Sequence, residues 1–346
     1  MNKLEQYLST FSESDWLSAV ESISPAIHAV DRDAVQIWLR FNSLALFEYL
    51  HASDDVEQAA KGVALQGRFG LDDSIDSSHY FLYGHRFWPL VKAAIEAEAQ
   101  VFEDPKVPLV DEITQIAEMI AEKAAVDASL TLAITAAGLM TLRQVGFEHF
   151  VEGSGQIEKP KGLMTKSPDS IVAARAADDS QGLLGFLKTV NKKYSVIYDE
   201  GRNGRFGIIN EQEIASASGN DRSQNWQSKD ERCWEGPVPV ECVSASCGTC
   251  WVGVIGGKEK LTDVERRERR AMTVFGYNQP DDQKPFIRLA CQAKAEGNVT
   301  IVIPPWNAVF GKKVYGNVED VELEPVTTSA KALREAVKEA TSDAGR

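Results

Sequence analysis

The chain has 346 residues, 43% of them hydrophobic and 25% charged, five cysteines and a formal net charge of −14. That profile is an ordinary soluble globular protein of two or more domains. An acidic balance without a basic stripe interleaved with aromatics argues against a nucleic-acid partner.

The acidity belongs to the N-terminal half. Residues 1–150 hold 10 Lys and Arg against 23 Asp and Glu, whereas residues 201–346 hold 20 against 21. The first eleven residues are mixed and polar, unlike a signal peptide. The longest uncharged helical stretch, 128–142, is short for a membrane span. Residues 1–150 read as helical throughout. Ser12 to Asp15 resembles a helix start ahead of Trp16, Leu17 and Val20. The stretch 31–50 predicts one helix with Val35, Trp38, Leu39, Leu46, Phe47 and Leu50 on one face. Ile37, Phe41 and Leu44 broaden that face, which places the helix in the middle of its domain. A loop follows around Gly67, Gly70 and the Asp72, Asp73 pair. Residues 80–101 predict a helical stretch interrupted near Gly84 and Pro89. Ile113, Ile116, Ala117, Ile120 and Ala124 repeat at helical spacing. Asp127 reads as the cap of a last helix running to about Phe147. The expected result is an all-α, bundle-like domain over residues 1–151.

Residues 152–192 read as a linker rich in Gly and Pro, with short helices over 171–177 and 183–190. Residues 194–198 and 206–209 alternate like the strands of a hairpin around Gly201 and Gly204. A polar insertion covers 213–233. Thr262 with Glu265 three residues on reads as a capping box, opening a helix that buries Val264, Ala271, Met272 and Phe275. Beyond Trp306 a tail, 306–346, holds a candidate strand at 318–323 and a short helix at 330–340.

The chemistry concentrates in one stretch. Cys242, Cys247 and Cys250 follow the pattern C-x4-C-x2-C, and 40 residues separate Cys250 from Cys291. Three thiolates in one tight loop plus a distant fourth is a ligand pattern for a [2Fe-2S] cluster. Ser244, Ala245, Ser246, Gly248 and Thr249 are small, so the loop backbone can wrap the cluster and aim amides at its sulfurs. The strand-like residues 251–255 follow the loop, and the alternating residues 299–303 follow Cys291 and Gln292. A C-x2-C pair also suits zinc, but the x4 spacing and the lone fourth cysteine fit the cluster better.

On these motifs the stretch 193–305 resembles the plant- and bacterial-type [2Fe-2S] ferredoxin family. The resemblance implies a β-grasp domain, one cluster and one-electron transfer, with Cys242, Cys247, Cys250 and Cys291 as metal ligands. Ser246, Gly248 and Thr249 are then expected to contact the cofactor. Two features depart from the family: Ala245 stands where glycine is usual, and the interval before Cys291 is long, its extra length falling in 277–285. The expected fold class is thus α+β and multidomain, a helical domain followed by a β-grasp domain.

Cys233 is left over and reads as a spare thiol, so no even disulfide framework exists and a cytoplasmic protein is expected. No G-x-G-x-x-G follows a strand, so the chain is not a self-contained reductase and needs a redox donor and an acceptor. No C-x-x-C-H is present for covalent haem. A second reading makes the chain a relay or assembly subunit of a larger redox complex, or a homo-oligomer. A third rests on Glu48 with His51 and Asp76 with His79, whose i, i+3 spacing suits a di-iron site in an oxidase fed by its own cluster. Arg266, Arg267, Arg269 and Arg270 form a basic run, read as a solvated helix face with Glu265 paired to Arg269, or as a docking patch. Trp226, Trp234, Trp251 and Trp306 read as core residues or as a shield for the cluster.

Overall fold

The computed structural model describes residues 2–103, 106–177, 192–277 and 282–316, with 318 and 323. Predicted elements at 183–190 and 330–340, and nearly all of 318–323, lie outside the described residues. In chain order the described elements are α1 (Lys3–Leu8), α2 (Glu13–Ile23), α3 (Ala29–Phe41), α4 (Leu44–His51), α5 (Val56–Gly62) and β1 (Gln66–Gly67). Then follow α6 (Trp88–Val101), α7 (Leu109–Ala124), α8 (Leu132–Glu152), α9 (Pro168–Ala176), β2 (Lys193–Asp199), β3 (Gly204–Ile209), β4 (Gln212–Glu213) and α10 (Ile214–Ser218). The rest are β5 (Trp251–Gly256), α11 (Arg266–Phe275), β6 (Ile287–Leu289), β7 (Lys294–Ala295), β8 (Val299–Val302), β9 (Trp306–Asn307) and α12 (Gly311–Tyr315).

The chain divides into two compact units. The first takes the residues up to Asp54, Phe69–Ala174 and Glu200–Asn203. It is helical, and α8 is its axis, packing against α1, α3, α6 and α7. Small residues let those neighbours close in: a Cβ added to Gly138 would stand 2.7 Å from Ile95. Asp127 accepts from the Ser129 amide at 2.9 Å, capping the short 3-10 turn Ala128–Leu130 ahead of α8. The helix runs past Phe147 but breaks its geometry at Gly146, where φ is 77°.

The single helix expected over 31–50 is two. Asn42 leaves helical geometry, and its side chain donates to the Trp38 carbonyl at 2.9 Å. Ser43 then caps α4, accepting from the Leu46 amide at 3.2 Å while donating to Glu13 at 2.7 Å. Short polar side chains that satisfy the backbone themselves end a helix that its apolar face would continue. Asp31, fully buried, accepts from the amides of Tyr83 at 2.6 Å and Gly84 at 2.8 Å. This bond anchors the 3-10 helix Tyr83–Phe87, the interruption read from Gly84 and Pro89. Met164 and Ile171, in the stretch read as linker, are buried with Val30 and Tyr83.

The second unit takes Asp55–Arg68, then Arg175–Asp199 and the chain from Gly204 onward. Its centre is a five-stranded mixed sheet in the order β3-β2-β8-β5-β6. The hairpin β2–β3 is antiparallel, β2 and β8 run parallel, and β5 is antiparallel to both β8 and β6. Trp251 through Ile255 are all buried, as expected of a strand covered on both faces. Residues 55–68, within the segment read as part of the helical half, belong to this unit. There β1 pairs with β9, and the Val309 amide donates to the Val63 carbonyl at 2.7 Å.

The expected capping box at Thr262 does not form. Helix α11 begins at Arg266 with Glu265 as N-cap and no side-chain capping bond. Thr262 is drawn instead toward β6 and β7: its carbonyl accepts from Arg288 Nη1 at 2.7 Å, and its amide donates to the Lys294 carbonyl at 3.0 Å. As expected, α11 buries Ala271, Met272 and Phe275, and Val264 just before it is buried too.

Candidate metal centre

The loop from Cys242 to Cys250 runs directly into β5, and Cys291 follows β6, the neighbour of β5. The antiparallel pairing of Trp251 with Leu289 therefore carries Cys250 and Cys291 to the same end of the sheet. The Ala290 amide donates to the Cys250 carbonyl at 2.9 Å and locks that register. All four cysteines carry free thiols. Cys242, Cys250 and Cys291 are buried, and Cys247 is partly exposed.

The thiols meet as two pairs. Cys242 and Cys247 share a hydrogen bond, and so do Cys250 and Cys291. The pairs feel one another, with Cys242 acting on Cys291 and Cys247 on Cys250. Among the described residues no three His, Cys, Asp or Glu side chains converge on one ion position. Two pairs are the division that a two-iron centre with four thiolates uses.

Backbone amides surround the sulfurs. Those of Ser244 and Ser246 donate to Cys242, that of Thr249 to Cys247, that of Ala245 to Cys291 and that of Cys291 to Cys250. Thr249 Oγ1 adds a bond to Cys247 Sγ at 3.2 Å, and Gln292 Nε2 one to Cys291 Sγ at 3.4 Å. Hydrogen bonding to a sulfur favours its thiolate form. The bond from Cys247 pulls the Cys242 thiol down to about 5, against the opposing effect of burial. Cys291 is lowered in the same way by Cys250, and Cys247 and Cys250 are raised as the donors of their pairs.

The loop reaches this shape through two left-handed residues. Gly248 has φ 72° and a Cβ there would stand 3.0 Å from the Phe275 ring, so a side chain would strain the turn and press on that ring. Ala245 adopts φ 55°, so the alanine takes the left-handed conformation that a glycine reaches without strain. Tyr277, fully enclosed, donates from its hydroxyl to the Gly248 carbonyl at 2.7 Å. Its ring stacks on Trp251 at 3.9 Å, and Trp251 meets Trp306 edge to face at 5.0 Å. Of the expected cofactor-contact residues, Ser246 and Thr249 thus offer amides to sulfur, and Gly248 supplies the turn. Gln292 could have been singled out by its place beside Cys291; Tyr277 carries no sequence signal.

Cys233 stands outside this set. Its thiol donates to the Pro237 carbonyl at 3.2 Å, and burial pushes it up to about 12, which leaves it an inert thiol at neutral pH. The histidine motifs of the helical unit are otherwise engaged. Glu48 pairs with Arg143 at 2.7 Å. Asp76 accepts from Trp88 Nε1 at 2.7 Å and from Ser154 Oγ at 2.8 Å. His79, fully buried, shares a 2.7 Å Nδ1–Nδ1 hydrogen bond with His85.

Among the described residues no helix is long and apolar enough to cross a membrane. In comparisons with known proteins, no family model, no curated protein and no solved structure matches this chain.

Proposed function

We propose that the chain is a one-electron transfer protein whose C-terminal unit holds a single [2Fe-2S] cluster on Cys242, Cys247, Cys250 and Cys291. The observation that carries this reading is the gathering of four free thiols into two pairs under a canopy of amide donors. A mixed sheet with its first and last strands parallel and adjacent supports a β-grasp domain of the ferredoxin type. Free thiols throughout support a reducing compartment such as the cytoplasm. The helical unit then serves docking or assembly with a redox donor and acceptor, whether free in solution or within a larger redox complex.

When bound, the cluster supplies a centre that takes up and releases one electron. The protein's part is to hold it and set its energy. Amides of Ser244, Ala245, Ser246 and Thr249 point partial positive charge at the sulfurs, which favours the more negative reduced state. The buried side chains of Cys242, Cys250 and Cys291 keep water away from three sulfurs. Cys247 is partly exposed, and Val243, earlier in the same loop and next to Cys242, is 63% exposed. That side of the loop is where a partner can approach. The carboxylates of the di-iron alternative, Glu48 and Asp76, are engaged by Arg143 and Trp88, which favours the single-cluster reading.

Serine substitution of each cysteine tests the ligand set. Changing Cys242, Cys247, Cys250 or Cys291 is expected to bleach the visible charge-transfer bands or make the bound iron labile. Cys233→Ser is expected to leave iron, sulfide and spectrum intact. Loss of the cluster in Cys233→Ser, with retention in one of the other four, would overturn the assignment.

A further inference from the structure

Helix α11 places cations where a helix tolerates them least. Arg266, Arg267, Arg269 and Arg270 fill four of its first five positions, at the end whose dipole favours anions. Its N-cap, Glu265, makes no capping bond from its side chain. Glu268, the carboxylate inside the helix, is buried against Arg288 and so neutralises none of the outer charge. Arg266 and Arg270, one turn apart on the same face, are exposed, and so is Arg267. Arg269 is half-buried and donates to the Asp282 carbonyl at 2.9 Å. Charges set against the stability of their own helix, and not needed by the core, are expected where function fixes the sequence.

The other side of this helix rests on the metal-centre loop. Phe275 is fully buried against Gly248, the residue between Cys247 and Thr249. Phe275 is the last residue of α11, and the exposed arginines precede it by five to nine residues, roughly 8–14 Å back along the helix axis at 1.5 Å per residue.

We propose that the exposed arginine face of α11, Arg266, Arg267 and Arg270, docks a redox partner protein through a carboxylate-rich surface. The proposal rests on the electron-transfer reading given above. Charge complementarity names the partner's chemistry, because guanidinium groups bind carboxylates bidentately and hold them in register. In the docked pair one electron leaves the reduced centre as the partner's oxidised centre gains it. No proton or group moves.

The test uses the full-length protein, chemically reduced and mixed in stopped flow with two one-electron acceptors of opposite charge. Cytochrome b5 serves as the acidic protein and hexaamminecobalt(III) as the small cation. For the unmodified protein the rate with cytochrome b5 is expected to fall as salt rises, since exposed charges are screened within about 10 Å at 0.1 M. The Arg266→Glu/Arg270→Glu variant is expected to react with cytochrome b5 at least about tenfold more slowly, with its visible spectrum unchanged. With hexaamminecobalt(III) the same variant is expected to react as fast or faster. Arg266→Gln/Arg270→Gln is expected to fall between the two. Equal rates with cytochrome b5 for variant and unmodified protein would overturn the docking face alone. So would equal slowing with both acceptors, which would assign the loss to a disturbed helix. Salt-reversible self-association that the reversal abolishes would give the face to the acidic helices of a second copy instead. An unmodified protein with no iron–sulfur spectrum would overturn the electron-transfer reading, and this proposal with it.

Discussion

Arg288 and Glu268 form a bidentate ion pair sealed inside the C-terminal unit. Arg288 Nε and Nη2 each donate to one carboxylate oxygen of Glu268, both at 2.9 Å, and the two residues are 0% and 1% exposed. Glu268 also accepts from the Leu289 amide at 2.8 Å, two residues before Cys291. The pair thus ties α11 to the end of β6, where the fourth cysteine follows. Breaking it from one side leaves a buried charge uncompensated. Arg288→Met is expected to cost about 3–5 kcal/mol, whereas Glu268→Leu/Arg288→Met is expected to recover most of that loss. Urea unfolding of both variants checks this; a double variant as unstable as the sum of the singles would show that the pair does not act as a unit.

Ala245 stores strain at the point where the loop turns its amide toward Cys291. A left-handed conformation costs an alanine roughly 1–2 kcal/mol relative to its ordinary wells, part of which glycine returns through its freer unfolded chain. Ala245→Gly is expected to keep the spectrum and gain up to about 1 kcal/mol. Ala245→Val, β-branched and poorly suited to positive φ, is expected to bind iron weakly. Thermal unfolding and iron retention on dialysis measure both, and a valine variant that holds iron normally would contradict the strain argument.

Glu112 gives the helical unit an inverted pH dependence. Burial, with repulsion from Glu98, raises its carboxyl from 4.5 to about 7, and its Oε1 has no hydrogen-bond partner. Unfolded, the group ionises above 4.5; folded, it holds its proton to about 7. Unfolding therefore releases a proton between those values, and stability falls as pH rises through that window. After discounting for solvent screening the loss is about 1–2 kcal/mol. Glu112→Gln should stabilise the protein at pH 8 and leave it nearly unchanged at pH 4. Equal effects at both pH values would remove the carboxylate's titration as the cause.

What a sequence discloses here depends on how local the cause is. The spacing of Cys242, Cys247 and Cys250 marks the loop that gathers the thiols, because all three lie within one short segment. Strong apolar periodicity likewise predicts α7, where Ile113, Ile116 and Ile120 are buried. The break at Asn42 and Ser43 is hidden by apolar neighbours, since two polar side chains decide it against the hydrophobic face. Thr262 has the signature of a capping box, yet contacts with Arg288 and Lys294, distant in sequence, claim its backbone. Glu268 sits in a run of arginines that hides its inward partner twenty residues away. Residues 55–68 carry no local mark that they will pair with Trp306 and Asn307 rather than with the helices around them.

Four cysteines are proposed to hold one two-iron, one-electron centre. Electron paramagnetic resonance of the reduced full-length protein, with iron and sulfide counted on the same sample, tests this most directly. Two irons, two sulfides and one unpaired electron per chain are expected. Zinc in place of iron, four irons per chain, or a second reducible centre in the titration would contradict the account.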